Sequence, residues 1–246
     1  MKRLENKTAF ITGGGRGMGA DISRRLAAEG ARVVLTYSKS REQAEAVASA
    51  INAKGGEASA VEADSLDPKA LSTAIQKTIE TFGPIDILVN NAGIYIGKEF
   101  ESHTLEDYEE IMGVNVRAVY VAALAVAAQM PKNGRIITIG SNMAENSLSP
   151  QTTLYTMSKA ALTGFTRGLA RDLGAKGITV NLVQPGPINT DMNPSNTDLA
   201  DFLRSRMALA EYGTGEDIAG LVAFLASEEG KYITGTAITI DGGLNA

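Results

Sequence analysis

TAFITGGGRGMGA, residues 8–20, is the most informative segment of this chain. A short apolar run leads into five glycines, and a segment of helical period follows them. Glycines at such a junction let the backbone turn tightly and approach a pyrophosphate, which the free N–H groups of a helix N-terminus attract. The strand before the glycines and the helix after them predict a dinucleotide-binding turn; a glycine-rich turn without a ligand is the alternative. The predicted cofactor contacts are Gly13, Gly15, Arg16, Gly17, Met18 and Gly19.

Strand and helix alternate along the rest of the chain. The predicted strands are short β-branched runs at Thr8–Thr12, Arg32–Thr36, Ala58–Asp64, Ile85–Asn90, Arg135–Ser141, Thr179–Gln184 and Ala237–Ile240. The predicted helices lie near Gly17–Glu29, Ser40–Ala53, Pro68–Phe82, Leu105–Met130, Thr152–Gly174 and Gly215–Ser227. This pattern predicts an α/β fold, a single doubly wound Rossmann-type domain over residues 1–246 with a seven-stranded parallel sheet and helices on both faces.

One long irregular segment follows the sixth predicted strand. From Pro185 to about Asp198 it contains three prolines among Gly, Asn, Ser and Thr, and it shows no strong period. Long loops in compact domains often cover binding sites. The segment therefore predicts a substrate lid at about residues 187–212.

Composition argues against several kinds of site. The net charge of −5 and the pI near 5.1 do not favour a nucleic-acid surface. The chain has no cysteine, and its single histidine, His103, lies in a polar stretch typical of a surface loop or the neighbour of a helix cap, so we expect no metal site. The first residues are polar, and no uninterrupted apolar run reaches the roughly 20 residues that span a bilayer. We therefore expect a cytoplasmic protein without a membrane partner.

Tyr155 and Lys159 lie four residues apart in a predicted helix, so both side chains project from one face. A free tyrosine has a pKa of about 10 and gives up its proton reluctantly at neutral pH. A nearby ammonium favours the phenolate, so the pair predicts a lowered Tyr155 pKa and a phenol that acts as acid or base near pH 7. For the pair considered alone, two solvated side chains are the alternative.

The end of the second predicted strand distinguishes the two nicotinamide dinucleotides. An acidic residue there would bind a ribose 2′-hydroxyl and repel a 2′-phosphate. Residues 35–40 read LTYSKS, with no carboxylate before Glu42. Arg16 and Lys39 can supply positive charge, and Tyr37 and Ser38 can supply hydroxyl groups. The sequence therefore predicts NADP(H) rather than NAD(H), unless the two basic side chains are merely solvated.

Six motifs along essentially the whole chain resemble those of the short-chain dehydrogenase/reductase family. They are TGxxxGxG at Thr12, Gly13, Gly17 and Gly19, NNAG at residues 90–93, the helix residue Asn115, Ser141 after the fifth strand, YxxxK at Tyr155 and Lys159, and PG at Pro185-Gly186 with Thr190 further on. The chain is most similar to the 3-oxoacyl-carrier-protein-reductase-like branch. Residues 184–191, QPGPINTD, also resemble bacterial members proposed to be cyclic-dinucleotide binders or general carbonyl reductases.

The resemblance implies a catalytic role for four residues. Tyr155 would protonate a carbonyl oxygen as hydride arrives from the nicotinamide, and Ser141 would hydrogen-bond the same oxygen. Lys159 would lower the phenol pKa and hold the nicotinamide ribose. Asn115 would hold a water that links Lys159 to solvent; its alternative is a helix-interior amide bonded to neighbouring backbone.

The resemblance also implies further cofactor contacts. Asp64 would meet the adenine, although it could instead cap a turn with Asp67. The remaining implied contacts are Asn90, Ala92 and Gly93 beside the adenosine ribose, Pro185 and Gly186 after the sixth strand, and Ile188 and Thr190 at the nicotinamide carboxamide.

Together these patterns predict an NADPH-dependent carbonyl reductase or alcohol dehydrogenase acting on a small-molecule ketone or alcohol. A catalytically idle nucleotide-binding regulator on the same fold, and a related enzyme of dehydration or epimerisation, are the alternatives. Candidate pocket residues are Asn142, Met143, Leu148, Gln151, Met192, Phe202 and Met207. The Ala-rich faces of the helices Leu105–Met130 and Thr152–Gly174 permit close packing, and by resemblance to the family they would form a dimer interface within a homotetramer. Burial against the sheet is the alternative for those faces.

Overall fold

A sheet of seven strands runs through the molecule, as seen in a computed structural model that describes residues 2–246. The strands are β1 (Thr8–Ile11), β2 (Arg32–Tyr37), β3 (Glu57–Glu62), β4 (Ile87–Asn90), β5 (Arg135–Ile139), β6 (Thr179–Pro185) and β7 (Ala237–Ile240). Their order is β3-β2-β1-β4-β5-β6-β7, and all neighbours pair in parallel, which confirms the predicted fold class. The order reverses between β1 and β4, where open α/β sheets bind ligands at the carboxyl ends of their strands.

Helices cover both faces of this sheet. They are α1 (Gly17–Ala28), α2 (Arg41–Ala53), α3 (Pro68–Phe82), α4 (Leu105–Met112), α5 (Ala118–Ala127), α6 (Thr153–Gly174), α7 (Asp198–Arg204) and α8 (Gly215–Ala226). A π-helical turn, Gly113–Arg117, joins α4 to α5. The start and end signals act as expected in α3, where the Asp67 carboxylate accepts N–H bonds from the first turn and Gly83 follows the last residue.

The side chains of β1 and β2 alternate between two apolar cores. Ile11 and Val33 lie in the core with α1, α2 and α8, whereas Phe10 and Val34 lie in the core with α3, α5 and α6. Each of these four residues is at most 1% exposed. Burial on both faces explains why the strands are apolar throughout instead of alternating with polar residues.

Some predicted boundaries are wrong. The helix predicted over Leu105–Met130 is interrupted by the π turn and ends at Ala127. The irregular segment ends at Asp198 as predicted, but the helix that begins there, α7, was not predicted; the Thr197 hydroxyl caps the N–H of Ala200 in its first turn. β3 and β5 end earlier than predicted, so Asp64 and Ser141 lie in the turns that follow them.

The single histidine and the most apolar helix both belong to the packed domain. His103 directly precedes Thr104, the N-cap of α4, as predicted, but its side chain is only 7% exposed and is not on the surface. The helical run Leu105–Ala127 is long and apolar enough, by length and composition, to cross a membrane, but half of its most apolar part is buried and α5 packs on α3. Within residues 2–246, no group of three acidic or histidine side chains could hold a metal ion.

Candidate active site

The glycine turn after β1 has a backbone that requires glycine. Gly13 and Gly17 have φ of +62° and +49°, in the left-handed region that other residues rarely occupy. Gly15 does not, but a Cβ at Gly15 would lie 2.8 Å from the Cα of Ala44 in α2. A Cβ at Gly19 would overlap the carbonyl oxygen of Gly13. Backbone conformation at Gly13 and Gly17 and close packing at Gly15 and Gly19 therefore each favour glycine.

The N-terminus of α1 is open to an anion. Its N-cap, Arg16, has an extended backbone and no side-chain capping bond, and the first turn of the helix holds no acidic residue. The N–H groups of an uncapped first turn have no intrahelical partners, and they lie at the positive end of the helix dipole. Gly17 and Met18 begin this first turn, so the predicted residues form a cradle that fits the pyrophosphate of a dinucleotide.

Thr12 and Asn91 tie this turn to the end of β4, and the predicted site list omits both. The Thr12 hydroxyl accepts the N–H groups of Asn91 and Ala92, at 3.0 Å and 3.1 Å. The Asn91 amide donates to the carbonyls of Thr12 and Gly13, each at 3.0 Å. Thr12 belongs to the TGxxxGxG motif and Asn91 to the NNAG motif, so the sequence contained a signal for their role in the site. They position the cradle through other residues and are not themselves exposed contacts.

The end of β2 presents hydroxyl and basic groups. Tyr37 closes the strand and is buried, whereas Ser38, Lys39 and Arg16 are exposed near the same edge of the sheet. No carboxylate occupies the end of the strand. This environment repels a 2′-phosphate less than an acidic strand end would, in agreement with the predicted NADP(H) preference.

Asp64 takes part in the turn after β3. Its carboxylate accepts the N–H of Leu66 at 3.0 Å, and its carbonyl accepts the N–H of Asp67. The turn-capping alternative from the sequence is therefore realised, and the adenine contact stays a prediction.

Gly93 of the NNAG motif lies beside two of the predicted catalytic residues. A Cβ at Gly93 would lie 3.3 Å from Lys159 Nζ and 3.4 Å from Asn115 Oδ1. At the cradle, a Cβ on Gly13 would lie 3.1 Å from the Cα of Ala92, and one on Gly17 would lie 3.7 Å from Thr190 Cγ2. The cradle therefore lies close to the NNAG motif and to the start of the predicted lid, and the NNAG motif lies close to the catalytic residues.

The remaining predicted contacts lie at the carboxyl ends of β4 and β6. Asn90 is buried at the end of β4, with its amide donating to Thr138 Oγ1 at 3.3 Å. Pro185 ends β6, and the following Gly186 packs against Asp241 so closely that a side chain would overlap it. The side chain of Ile188 is buried in the apolar core against Gly213. Any contact of Ile188 with the nicotinamide must therefore come from its backbone.

Ser141, Tyr155 and Lys159 meet where β5 ends beside α6. The Tyr155 phenol lies near enough to Ser141 for that hydroxyl to influence its pKa. Lys159 is buried, and its ammonium donates to the Ile139 carbonyl at 3.0 Å. The ammonium lies 5.7 Å from the centre of the Tyr155 ring. The three predicted catalytic side chains are thus brought together, as the motif spacing requires.

The protonation of this pair differs from the prediction. Burial raises the pKa of the Tyr155 phenol, and the nearby Ser141 hydroxyl opposes that effect. Burial also lowers the pKa of Lys159 to about 8. The prediction that Lys159 lowers the Tyr155 pKa is wrong for the chain by itself, because the ammonium is turned to the Ile139 carbonyl and both groups have lost water. The phenol therefore keeps its proton at neutral pH, as a proton donor must.

Asn115 explains the π turn that interrupts the helix. Its side-chain amide donates to the Ile94 carbonyl at 3.0 Å and to Ser158 Oγ at 2.9 Å, and its oxygen accepts the Ile94 N–H at 2.9 Å. Ser158 in turn donates to the Tyr155 carbonyl at 2.8 Å. Asn115 is therefore a buried amide bonded to backbone, as the alternative reading held, and it links the loop after β4 to the helix of Tyr155. π turns commonly occur at functional sites, and this one places the amide. Ser158, inside the YxxxK motif, is a further residue that the predicted site omits.

A comparison with known proteins decides the family. Residues 13–245 match the family model described as enoyl-(acyl carrier protein) reductase. A solved short-chain dehydrogenase from Burkholderia cenocepacia J2315 is 52% identical, with a TM-score of 0.98 over 99% of this chain and 100% of that chain. The chain belongs to the short-chain dehydrogenase/reductase family.

Two curated relatives of this family member have different names. The 3-oxoacyl-[acyl-carrier-protein] reductase of Staphylococcus epidermidis is 37% identical over 242 residues, which cover 97% of this chain and 99% of the relative. The cyclic-di-GMP-binding biofilm dispersal mediator protein of Escherichia coli K12 is 42% identical over 246 residues, the full length of both chains. The predicted family and its 3-oxoacyl-carrier-protein-reductase-like branch are confirmed.

The cofactor of this short-chain dehydrogenase/reductase is NADP(H). The Burkholderia structure is a complex with NADP, and other similar structures hold NADPH. The open N-terminus of α1 and the glycine cradle fit the dinucleotide, and the basic end of β2 fits its additional phosphate. The chain is therefore an NADP(H)-dependent oxidoreductase. The individual contacts stay predictions.

Two of the candidate pocket residues face another part of the molecule. The Asn142 amide lies 3.3 Å from both Asp241 Oδ2 and Asn245 Oδ1, and the Asn245 amide donates to the Asn142 carbonyl at 2.9 Å. Met207 is buried against Gly242. The turn at residues 241–245 therefore contacts both Asn142 and Met207. The sequence could not indicate these contacts. Met143 and Leu148 are half-buried, and Gln151, Met192 and Phe202 are exposed.

Proposed function

We propose that this chain reduces a ketone to an alcohol with NADPH, as a carbonyl reductase or a 3-oxoacyl reductase, with Tyr155 as the proton donor. One observation carries the proposal: a protonated phenol lies beside Ser141 and near Lys159, and the Lys159 ammonium lies next to Gly93 of the NNAG motif. Hydroxyl and phenol groups at that edge of the sheet can both reach the oxygen of a bound carbonyl.

Each group has a separate task in the reaction. Bound NADPH supplies the hydride that the carbonyl carbon receives. Ser141 would donate a hydrogen bond to the carbonyl oxygen and stabilise the negative charge that develops there. Tyr155 would give its proton to the same oxygen, which completes the alcohol. Lys159, with a pKa of about 8, is cationic at neutral pH and would hold the ribose hydroxyls and return a proton to the phenolate.

Asn115 would support the catalytic side chains indirectly, through the residues to which it is hydrogen-bonded. Its bonds to Ile94 and Ser158 fix the loop after β4 against α6, and Ser158 fixes the backbone of Tyr155. A water held near this amide would connect Lys159 to solvent, so that the proton lost in each turnover is replaced. This role belongs to the proposal and follows from the family resemblance.

The proposal is tested by following NADPH absorbance with a panel of ketones, β-ketoesters and acyl thioesters. We expect turnover with at least one class. General acid catalysis contributes about 10²–10⁴-fold, so Tyr155→Phe should lose at least that factor in kcat while its Kd for NADPH stays within about twofold. Turnover near the wild-type rate in this variant would contradict the mechanism.

A nucleotide-binding regulator is the second candidate. The name of the Escherichia coli relative favours it, because that protein is described as binding cyclic di-GMP. A protein that only binds nucleotides does not need Asn115, Ser141, Tyr155 and Lys159 together. Calorimetric titration with cyclic di-GMP, with and without NADPH, distinguishes the two: binding without turnover on the panel would favour the regulator. Product analysis in the same panel separates reduction from dehydration or epimerisation.

A lid over the site at about residues 187–212 is part of the proposal. The Arg204 guanidinium donates two bonds to the Ser195 carbonyl, at 2.9 Å and 2.7 Å, and lies 5.3 Å from the Tyr212 ring centre. These contacts hold α7 and its flanking loops together. The exposed Met192 and Phe202 would then offer apolar surface to a medium-sized substrate.

We also propose a cytoplasmic homotetramer. Tyr120 and Leu124 on α5 are 54% and 62% exposed, and Met157 on α6 is 40% exposed, so both helices carry apolar surface that the chain itself does not cover. Burial against the sheet accounts for Ala122 and Ala123, as the alternative reading held. Sedimentation at micromolar concentration should give a tetramer, and a monomer would contradict the assembly.

A further inference from the structure

Tyr95 lies directly against the predicted proton donor. The ring centres of Tyr95 and Tyr155 are 5.2 Å apart and their planes meet at 68°, an edge-to-face arrangement that aromatic pairs favour. Tyr95 comes from the loop after β4, whereas Tyr155 comes from α6. The phenol is therefore held between two separate elements of the fold.

Gln151 braces Tyr95 from the other side of the crevice. The Tyr95 hydroxyl lies 3.5 Å from the Gln151 carbonyl, and the Gln151 amide donates to Glu99 Oε1 at 2.7 Å. Gln151 has φ of +66°, which is uncommon for a residue other than glycine. This conformation turns its carbonyl towards Tyr95 while its side chain reaches Glu99, so the loop after β4 and the loop before α6 are joined at this point.

The Tyr95 ring has an accessible side as well as a packed one. It is 46% exposed, although an aromatic side chain of this size is normally more deeply buried in a packed contact. Its packed side meets Tyr155. Because Tyr95 lies beside Tyr155, a substrate whose oxygen meets the Tyr155 hydroxyl would have one substituent next to the Tyr95 ring.

We propose that Tyr95 is a specificity-determining residue: its ring, braced by Gln151, is the wall that shields Tyr155 and limits the size of the carbonyl substituent on that side. The inference rests on the proposed ketone reduction. Tyr95 lies outside the six family motifs found in the sequence. Its ring would determine which ketones the enzyme accepts.

The test compares Tyr95→Ala, Tyr95→Leu and Tyr95→Phe in a matched series of methyl ketones that grow from an ethyl to a phenyl substituent. Loss of the ring enlarges the pocket, so Tyr95→Ala should shift the ratio of kcat/KM for large over small ketones at least tenfold towards the large ones. Tyr95→Phe keeps the ring and should stay within about threefold. Tyr232→Ala, which removes a tyrosine that is 98% exposed, is the matched control. An equal loss for all ketones would indicate a structural role and overturn the proposal.

A second measurement does not depend on turnover. Nitration of Tyr155 by tetranitromethane, followed by peptide mass spectrometry, should be at least threefold faster in Tyr95→Ala than in the wild type, and unchanged in Tyr95→Phe. If Tyr95→Ala does not fold, as thermal unfolding would show, Tyr95→Leu provides the same comparison. If Tyr155 is nitrated faster in Tyr95→Ala but the protein reduces no ketone, the proposed function is wrong, whereas the shielding of Tyr155 by Tyr95 is supported. Unchanged nitration together with an unchanged ketone ratio would refute the wall in an active enzyme.

Discussion

Gly15 lies so close to α2 that a side chain in its place would have no room. In Gly15→Ala, the new Cβ would lie 2.6 Å from the Cβ and 2.8 Å from the Cα of Ala44, a residue of α2 with no exposed surface. The nearest atoms include backbone, so no side-chain rotation can relieve the overlap, and α1 and α2 must move apart. Overpacking of this kind costs about 1–3 kcal/mol. The lower entropy of an unfolded alanine returns only about 0.4–1 kcal/mol.

The expected net loss of stability is therefore about 1–2 kcal/mol. For a chain of this length that corresponds to a fall of roughly 2–8 °C in Tm. The shift also displaces the cradle, so we expect the Kd for NADPH to rise at least tenfold. Thermal unfolding and fluorescence titration with NADPH measure the two effects.

Gly220→Ala is the matched control for this variant. Gly220 lies inside α8, and a Cβ there would be 3.8 Å from an Arg25 side-chain nitrogen, which is ordinary van der Waals contact. Alanine favours a helix interior over glycine by about 1 kcal/mol, so this variant should be slightly more stable and bind NADPH normally. A Gly15→Ala protein with unchanged Tm and unchanged NADPH affinity would refute the argument from close packing.

Three further outcomes are expected. Lys159→Met should remove a pH dependence of stability, because the pKa of Lys159 in the folded protein, about 8, is below the ordinary value of 10.5. As the pH rises between these two values, the free energy of unfolding of the wild type should increase relative to that of the variant by about 3 kcal/mol. Urea unfolding of the cofactor-free protein at several pH values measures this difference. Ser38→Asp should lower the kcat/KM ratio of NADPH over NADH at least tenfold, because a carboxylate at the end of β2 repels the 2′-phosphate; an unchanged ratio would show that the phosphate lies elsewhere. Asn115→Ala should lower the Tm by several degrees, because it leaves the Ile94 backbone groups without their partners; an unchanged Tm would contradict the bracing role.

Much of the fold could be predicted because local signals and long-range packing agree. The strands around Ile11 and Ile137 are apolar on both faces, and glycine or Asp-Pro pairs mark the helix ends, so strand and helix follow from periodicity alone. The π turn could not be predicted this way. Residues 113–117 keep a helical apolar pattern, and only the distant Ile94, which bonds Asn115, reveals why the helix widens there.

The site shows the same division. The spacing of Tyr155 and Lys159 places them on one face of α6, but spacing does not tell where a long side chain ends, and the ammonium reaches Ile139 instead of acidifying the phenol. Asn142 is adjacent to Ser141 in sequence and was a reasonable pocket residue. Its partners, Asp241 and Asn245, are about a hundred positions away, and no local pattern connects them.

The turn at residues 241–245 has a practical consequence for anyone who handles this protein. Asp241 accepts the N–H groups of Gly243 and Asn245, the Asn245 amide donates to the Asn142 carbonyl beside Ser141, and the Gly242 carbonyl accepts the N–H of Leu209 near the end of the proposed lid. A purification tag or immobilisation linker fused immediately after Asn245 would disturb the turn itself, the loop that carries Ser141 and the backbone at Leu209. An attachment ahead of β1, at the opposite rim of the sheet, leaves that junction undisturbed.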